Sequence, residues 1–366
     1  LVAQAVGRGD ATEQQAVFWR AVLIAIVGGL LLLPLAPVIR DVGLWFMAPG
    51  DAVAEATRTY VTIRFLAAPF TLVNYAVLGL LLGQARAVAA LIVQSLINGI
   101  NIVLSIALGL WLEWNVAGVA WATVIGESIV AIGALVWLWR GFDRRHAPSR
   151  ARILDRPSFL ALIVLNRDIM IRTMALIAAF AFFTARGARS GDTLLAANAV
   201  LHNFIMIGSF FLDGFATAAQ QLCGQATGAR DRTAFSRAVR LILAWGTGFG
   251  VATTLLFLLA GDPLIDAMTS SPEVREAARR FMLFAAFAPA AGVLAYAYDG
   301  IYIGATWARD MRNLMVAALA IYFAAWWALG ALGNAGLWWA LLIFLLARGL
   351  LQGARYPALV RATFKA

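Results

Sequence analysis

Two aspartates, Asp213 and Asp299, lie deep inside apolar stretches of this sequence, and each is followed directly by a glycine. An ionised carboxylate at the centre of a membrane helix costs about 2.5–3.5 kcal/mol, so such a residue faces either a cavity or a partner. Two interpretations therefore stay open. Either acid could hold a proton or a small cation, or it could neutralise Arg172 or Arg348 as a structural charge partner within the same half of the chain.

A second polar group lies in the first half of the chain. Asn98, Asn101 and Ser105 follow one another at intervals of three and four residues, which places them on nearly one face of a helix. Glu127 is the one acid of the next apolar stretch. It could take up a proton, pair with a basic residue or line a cavity. The amides have an ordinary alternative role, because hydrogen bonds between membrane helices contribute only about 0.6 kcal/mol each.

Composition excludes several other kinds of chemistry. The 366 residues include one cysteine, Cys223, and two histidines, His146 and His202. We therefore expect neither an intramolecular disulfide nor a metal centre built from Cys or His. The sequence has no nucleophile–base pair, metal-ligand spacing or phosphate-binding loop, so we expect no enzyme activity. Charged residues make up 13% of the chain and hydrophobic residues 62%, against roughly 25% charged in a soluble domain, which predicts a membrane protein.

Apolar stretches of about 20 residues with little or no charge predict ten transmembrane helices. The alternation of polar and apolar residues that a lipid-facing barrel needs is absent, so the predicted fold class is all-α. The predicted spans are Ala21–Ile39, Val61–Leu82, Val88–Leu112, Val116–Trp139, Ile169–Ala185, Leu194–Leu222, Leu241–Ala260, Phe281–Gly304, Asn313–Leu332 and Ala335–Ala354.

The basic residues outside these spans are unevenly distributed. Of the 29 lysines and arginines, eighteen fall on the side of Leu1 and seven on the opposite side. Cytoplasmic loops carry the excess of Lys and Arg, so the sequence predicts that Leu1 and Ala366 both lie on the cytoplasmic side of a cell or inner membrane. Topology thus explains the net charge of +10. No basic patch coincides with an aromatic platform for nucleic acid, and we expect no such partner.

The chain also repeats itself at an offset of about 221 residues. The segment Gln4–Asp10 aligns with Gln225–Asp231, and Gly79–Gly83 aligns with Gly300–Gly304. Repeated halves in an apolar chain are typical of transporters.

The repeat predicts the organisation of the chain. An N-terminal lobe is expected at 1–140, a polar cytoplasmic linker at 141–158 and a C-terminal lobe with a short basic tail at 159–366. The second copy has two helices ahead of the first aligned segment that the first copy lacks. The sequence therefore predicts a complete protein of twelve helices, six in each copy, of which ten are present here. An even number of helices makes the two copies parallel in the membrane.

Several motifs of the second half belong together: Leu165–Arg172, Leu212–Ala216, Gly224–Asp231, Asp299–Thr306 and Met311–Asn313. With the runs Asn98–Leu104 and Ala117–Thr123 of the first half, they resemble the DinF-like branch of the MATE family, the multidrug and toxic compound extrusion transporters. The resemblance extends over nearly the whole chain. It implies a two-lobe antiporter of twelve helices that exchanges protons or sodium ions for outgoing organic compounds, often cationic.

The resemblance also implies a site in the N-terminal lobe. There Thr123 would face Asn98 and Asn101 from the following helix. The sequence departs from the family at Ser105, where the family often has Asp, and the family's first helix, which brings a further acid, has no counterpart here. The matched positions of this lobe therefore hold no carboxylate, and Glu127 is the candidate substitute.

The resemblance leaves a related alternative, a lipid-linked oligosaccharide flippase, which needs a cation-rich cavity for pyrophosphate. Besides the loop residues counted above, only four basic residues remain, within or beside the predicted spans, which favours the antiporter: Arg64, Arg167, Arg172 and Arg348. The first three lie near span ends, where we expect them to snorkel to the interface, and we expect Arg348 to form a salt bridge. We expect a monomer whose partners are a small-molecule substrate and membrane lipid, with no cofactor besides the coupling ion, proton or sodium.

Overall fold

The computed structural model describes residues 1–47 and 50–364, and these residues are almost entirely helical, with no β-strand among them. A π-helical turn, Ser105–Trp111, continues the fifth helix. The α-helices are α1 (Val2–Gly7), α2 (Ala11–Met47), α3 (Asp51–Phe65), α4 (Ala68–Gly83), α5 (Ala87–Leu104), α6 (Asn115–Gly141), α7 (Arg150–Ile153), α8 (Arg156–Ala188), α9 (Asp192–Gly228), α10 (Arg232–Met268), α11 (Pro272–Gly304), α12 (Ala308–Ala328) and α13 (Asn334–Thr363).

The helices of the described ranges account for the predicted spans. Nine of them are long and apolar enough to cross a membrane, and α3 with α4 makes a tenth, bent span. The all-α class and the prediction of ten spans are therefore confirmed. The chain end at Ala366, to which the orientation prediction also refers, lies outside the described residues.

One predicted span consists of two helices. The sequence predicts a single span over Val61–Leu82 with a kink at Pro69, and in the structure α3 ends at Phe65 and α4 begins at Ala68, with a bend of 55° between them. The cause is Pro69, which stands in the first turn of α4. Proline has no amide hydrogen, and in a continuous helix its ring would collide with the carbonyl group four residues earlier, here that of Phe65.

The chain divides into two compact units, unit 1 at Leu1–Phe159 and unit 2 at Leu160–Ala366. In unit 1, α4 packs against α2 and α6, and α5 packs against α6. The core between these helices is aliphatic apart from Phe18. A side chain at Gly29 of α2 would overlap the backbone of Pro69, so glycine is required where α2 and α4 approach most closely.

The predicted linker, 141–158, lies within unit 1 and packs on α2. Arg20 of α2 is 4% exposed and donates hydrogen bonds to the backbone carbonyls of Arg152, at 2.7 Å, and Ile153, at 3.1 Å. Glu13 accepts from the guanidinium groups of Arg20 and Arg152, at 2.8 and 3.0 Å. The two arginines thus join the first turns of α2 to the helix that precedes α8.

Asp10 completes this cluster from the residue before α2. Its carboxylate accepts the backbone N–H of Glu13 at 2.8 Å and the side chain of Arg152 at 2.7 Å. The hydrogen bond from Glu13 first, and the guanidinium of Arg152 after it, lower the pKa of Asp10 below its ordinary value. The stabilisation is therefore present above the ordinary Asp pKa of about 3.9 and is lost as the pH falls through the lowered value.

In unit 2, α11 packs against α9, α10 and α13. Small residues bring α11 close to α9: a side chain at Gly300 would overlap the carbonyl oxygen of Ala216, and one at Gly304 would meet that of Gln220. Such close approach is how membrane helices gain packing energy without a hydrophobic driving force. It also fixes the position of Asp299, which directly precedes Gly300.

We predict that Arg20→Ala releases the 141–158 segment from its contact with α2. The substitution removes the donor to two backbone carbonyls and one partner of Glu13, and hydrogen bonds to a charged group contribute about 1.5–3 kcal/mol each. Limited proteolysis with elastase in detergent should cut after Ala151 roughly ten-fold faster than in the wild type. Arg8→Ala, at an exposed position, is the matched control and should leave the rate unchanged. Equal rates in both variants would contradict the account.

Candidate functional site

Unit 2 holds a buried charge cluster built from three helices. Asp299 of α11 is 4% exposed and pairs with Arg172 of α8 and Arg348 of α13. The Nη2 atom of Arg348 lies 2.8 Å from Oδ2 of Asp299, and Nε2 of Gln352 donates to Oδ1 at 2.8 Å. Arg348 and Gln352 are four residues apart, so one face of α13 presents both to the carboxylate.

This cluster has more donors than acceptors. Among the described residues, Nε of Arg172 and both Nε and Nη1 of Arg348 have no hydrogen-bond partner. The rings of Tyr296 and Phe344 lie 5.7 and 5.6 Å from the guanidinium of Arg348, where their faces offset part of its charge. Asp299 therefore serves as the counter-charge for two cations, and its own charge is fully engaged.

Asp213 is in a different situation. Its side chain is exposed on α9, and none of the described residues donates a hydrogen bond to its carboxylate or forms a salt bridge with it. It interacts electrostatically with Arg172, Arg348 and Asp299. The structure thus brings both predicted acids to one charge cluster, in which Asp299 is paired and Asp213 is free.

Glu127 of α6 forms the corresponding cluster in unit 1 and is 9% exposed. Arg64 of α3 binds it with both terminal nitrogens, at 2.9 Å to Oε1 and 3.3 Å to Oε2. Thr71 of α4 donates to Oε2, and Nδ2 of Asn74 donates to the backbone carbonyl of Glu127 at 3.0 Å. Of the roles left open by the sequence, the structure gives Glu127 a neutralising partner.

The predicted polar face of α5 is only partly assembled. Asn101 donates to the hydroxyl of Thr123 at 2.7 Å, which links α5 to α6. Asn98 is exposed and accepts from Gln94 of the same helix. Ser105 begins the π-helical turn, and its buried hydroxyl has no partner among the described residues. The structure therefore joins Asn101 to Thr123 and leaves Asn98 and Ser105 apart from them.

The expectation that arginines near span ends snorkel is wrong for Arg64 and Arg172, because each is bound to an acid inside its own unit. Arg167 pairs with its neighbour Asp168, which also binds Arg312 at 2.8 Å. For Arg172 and Arg348 the sequence had left pairing with Asp213 or Asp299 open as an alternative, and the structure pairs both with Asp299. Arg64 was assigned to the interface from its depth alone, and its partner Glu127 lies on a neighbouring helix.

Two other members of the clusters were missed. Gln352 lies four residues after Arg348, and this spacing alone could have indicated it. Thr71 gave no signal, because a kink at Pro69 does not by itself show which neighbouring helix the threonine faces. In the described part of the chain, no group of His, Cys, Asp or Glu side chains could hold a metal ion. The arrangement offers one free carboxylate and two paired ones, which is suited to binding a proton or a monovalent cation.

Comparison with known proteins gives consistent matches. The MatE family model matches residues 1–107 and 169–327. DNA damage-inducible protein F of Escherichia coli strain K12 is 36% identical over 351 residues, which are 96% of this chain and 76% of that protein. Protein DETOXIFICATION 44, chloroplastic, of Arabidopsis thaliana is 26% identical over 301 residues, which are 81% of this chain and 56% of that protein.

Solved structures match over the full chain. An outward-facing multidrug resistance MATE family transporter of the MOP superfamily aligns with a TM-score of 0.86 at 18% identity, covering 100% of this chain and 83% of that one. The Vibrio cholerae MATE transporter VcmN in its bent form aligns with a TM-score of 0.88 at 16% identity, covering 99% and 83%. At these identities the likeness shows the fold.

We predict that Asp299→Ala strongly destabilises unit 2, whereas Asp213→Ala does not. Removing Asp299 leaves two buried guanidinium groups without a counter-charge, and breaking a buried pair in this way costs about 3–5 kcal/mol. Removing the exposed, unpaired Asp213 should cost less than about 1 kcal/mol. Thermal unfolding of both variants in detergent measures the difference. A similar loss of stability in both, or none in Asp299→Ala, would contradict the assignment.

Proposed function

Because this chain belongs to the MATE family, we propose that it is a secondary antiporter, which exports small organic compounds, cationic or amphipathic, in exchange for protons or sodium ions. Members of the family are membrane transporters and not enzymes, and this chain is a multi-pass membrane protein of that kind. The coupling ion, the exchange and the class of substrate are the parts that we propose.

The observation that carries the proposal is the contrast between Asp213 and Asp299. A carboxylate that releases and rebinds an ion during each cycle needs access and must not be held by permanent counter-charges. Asp213 is exposed and unpaired, whereas Asp299 is bound by Arg172 and Arg348. We therefore assign binding of the coupling ion to Asp213, and neutralisation of Arg172 and Arg348 to Asp299.

The charges around Asp213 explain why a proton and a cationic substrate would exchange for each other. Arg172 and Arg348 contribute +2, and Asp299 and Asp213 contribute −2, so the set is neutral while Asp213 is ionised. A proton on Asp213 changes the sum to +2 − 1 = +1, which disfavours a second cation where the dielectric constant is low. Proton and cationic substrate thus compete for the same negative charge, and this competition is the coupling that antiport requires.

In unit 1 we assign the polar side chains of α5 and α6 to the lining of the transport path. Asn101 and Thr123 are already bonded to each other and fix the two helices. Asn98 and Ser105 have capacity to bind a polar group of a substrate or an ion, because one is exposed and the other has an unpartnered hydroxyl. Glu127 is the acid of this unit.

The pairing of the arginines supports the antiporter over the flippase. A pyrophosphate carrier needs cationic side chains free to bind phosphate oxygens. Each of these four arginines, within or beside the predicted spans, is bound to an acid: Arg64 to Glu127, Arg167 to Asp168, and Arg172 and Arg348 to Asp299. Because each already has a counter-charge, the four leave less positive charge for a pyrophosphate than the flippase needs.

The setting that we propose for this activity is a cell or inner membrane with both termini on the cytoplasmic side, as the excess of basic residues on that side indicates. We propose that the transporter works as a monomer in contact with lipid, with a small-molecule substrate. It needs no cofactor besides the coupling ion.

Transport in reconstituted vesicles tests the assignment. The protein is placed in vesicles with a fluorescent cationic dye, and a proton or a sodium gradient is imposed. We expect one of the two gradients to drive dye movement in the wild type. Asp213→Asn should lower that rate by about ten-fold or more, because the variant keeps the shape of the side chain but not the charge.

Asp192→Asn is the control, since it makes the same change in the exposed first turn of the same helix and should transport like the wild type. Wild-type rates in Asp213→Asn would overturn the assignment of the coupling ion. Dye movement that neither gradient drives would overturn the proposal of antiport itself.

A further inference from the structure

The Glu127 carboxylate in unit 1 is bound by side chains from both helices that meet at the bend, α3 and α4. Arg64, two residues before the turn at Leu66 and Ala67, binds both carboxylate oxygens. Thr71, in the first turns of α4, donates to the same carboxylate. One buried acid therefore holds together two helices that meet at a 55° bend.

Apart from the pair with Glu127, α3 has few contacts that hold it in place. None of the residues of α3 is buried, whereas α4 has five buried residues. Besides its packing against α6 and α2, α3 has two side-chain links to α2: Arg40 donates to Thr62 at 3.0 Å, and Arg58 lies 3.6 Å from Asp41. Arg64 adds a hydrogen bond to Thr71 of α4, at 3.3 Å, and the bidentate pair with Glu127. The two links to α2 are exposed, so the contacts of Arg64 are the ones that reach the buried part of unit 1.

We propose that Arg64 is a positioning residue that couples the charge of Glu127 to the position of α3. While Glu127 is ionised, the pair with Arg64 keeps α3 docked on α6. When Glu127 takes up a proton, or when a cationic group takes its carboxylate, α3 is released and swings about Leu66 and Ala67. This inference rests on the proposed antiport function, because it links ion uptake at Glu127 to a movement of α3.

The groups around Glu127 indicate that its own charge determines whether the pair with Arg64 forms. Arg64 is the one charged group that faces it from α3. From α4 come Thr71 and Asn74, which do not titrate, while Tyr75 is 65% exposed. Neither α5 nor the π-helical turn contains a titratable residue. A neutral Glu127 can no longer accept a bidentate, charge-assisted bond from Arg64, and such bonds are roughly twice as strong as neutral ones.

Hydrogen exchange of α3 tests the inference without any transport measurement. In detergent or vesicles, the protection factors of the amides of residues 57–65 are measured against pH; protection factors correct for the intrinsic pH dependence of exchange. We expect protection to fall as the pH is lowered in the wild type. In Glu127→Gln and Arg64→Gln it should be roughly ten-fold lower at every pH. Glu55→Gln, an exposed position on the same helix, should match the wild type.

A second measurement separates coupling from mere support of the fold. The double variant Arg64→Gln/Glu127→Gln removes both charges together, so no buried charge is left unpaired. If the pair only stabilises the fold, the double variant should recover the wild-type pH profile of transport. We expect instead that it folds, as its unfolding temperature will report, but loses the part of the pH dependence that Glu127 supplies. With Glu127 intact, Arg64→Lys should keep that part and Arg64→Gln should lose it.

The outcomes are distinct. Protection of α3 that is independent of pH in the wild type and unchanged in Glu127→Gln overturns the inference, and so does a double variant with the wild-type pH profile. Absence of ion-driven transport in the wild type overturns the proposed function instead, and the exchange measurement still decides whether Arg64 positions α3.

Discussion

A charge placed inside a bilayer needs a counter-charge or contact with water, because lipid offers neither. Both units of this protein meet that requirement with a compact cluster. In unit 2, Asp299 holds Arg172 and Arg348, and in unit 1, Glu127 holds Arg64. The clusters bind helices that are distant in sequence, so the electrostatic constraint also determines which helices pack together.

Backbone features place these charges. Pro69 ends α3 at Phe65, and the resulting bend directs Arg64 onto Glu127. In unit 2, Gly300 lets α11 approach α9, the helix that carries Asp213, so that the residue before it, Asp299, lies within electrostatic reach of Asp213. A larger residue at Gly300 would push the helices apart and weaken this interaction. The acids thus depend on the local geometry that proline and glycine impose.

Much of this arrangement could be predicted from the sequence. Hydropathy gave the ten spans, and the cost of membrane charges singled out Asp213, Asp299 and Glu127 together with Arg172 and Arg348. Pro69 also marked the bend between α3 and α4, but the pairing of Arg64 was missed. Hydropathy reports how deep a residue lies along its own helix, but a counter-charge is a neighbour on another helix, and only the packed structure identifies it.

The distinction between a paired and a free acid also lies beyond sequence patterns. Asp213 and Asp299 have similar apolar surroundings in the sequence and each precedes a glycine. What separates them is that Asp299 lies at the junction of α8, α11 and α13, whereas Asp213 is on the exposed side of α9. Their different roles follow from tertiary packing, since the same residue type is a fixed counter-charge in one place and a site for an exchangeable ion in the other.

The most direct test of this distinction is infrared difference spectroscopy of the protein in lipid as the pH is lowered, because protonation of a carboxylate produces a carbonyl band of its own. The account predicts one component of this band that is present in the wild type and missing in Asp213→Asn, and a second that is missing in Glu127→Gln. No component is lost in Asp299→Asn, because two arginines keep Asp299 ionised. A band that persists in Asp213→Asn and in Glu127→Gln but vanishes in Asp299→Asn would contradict it.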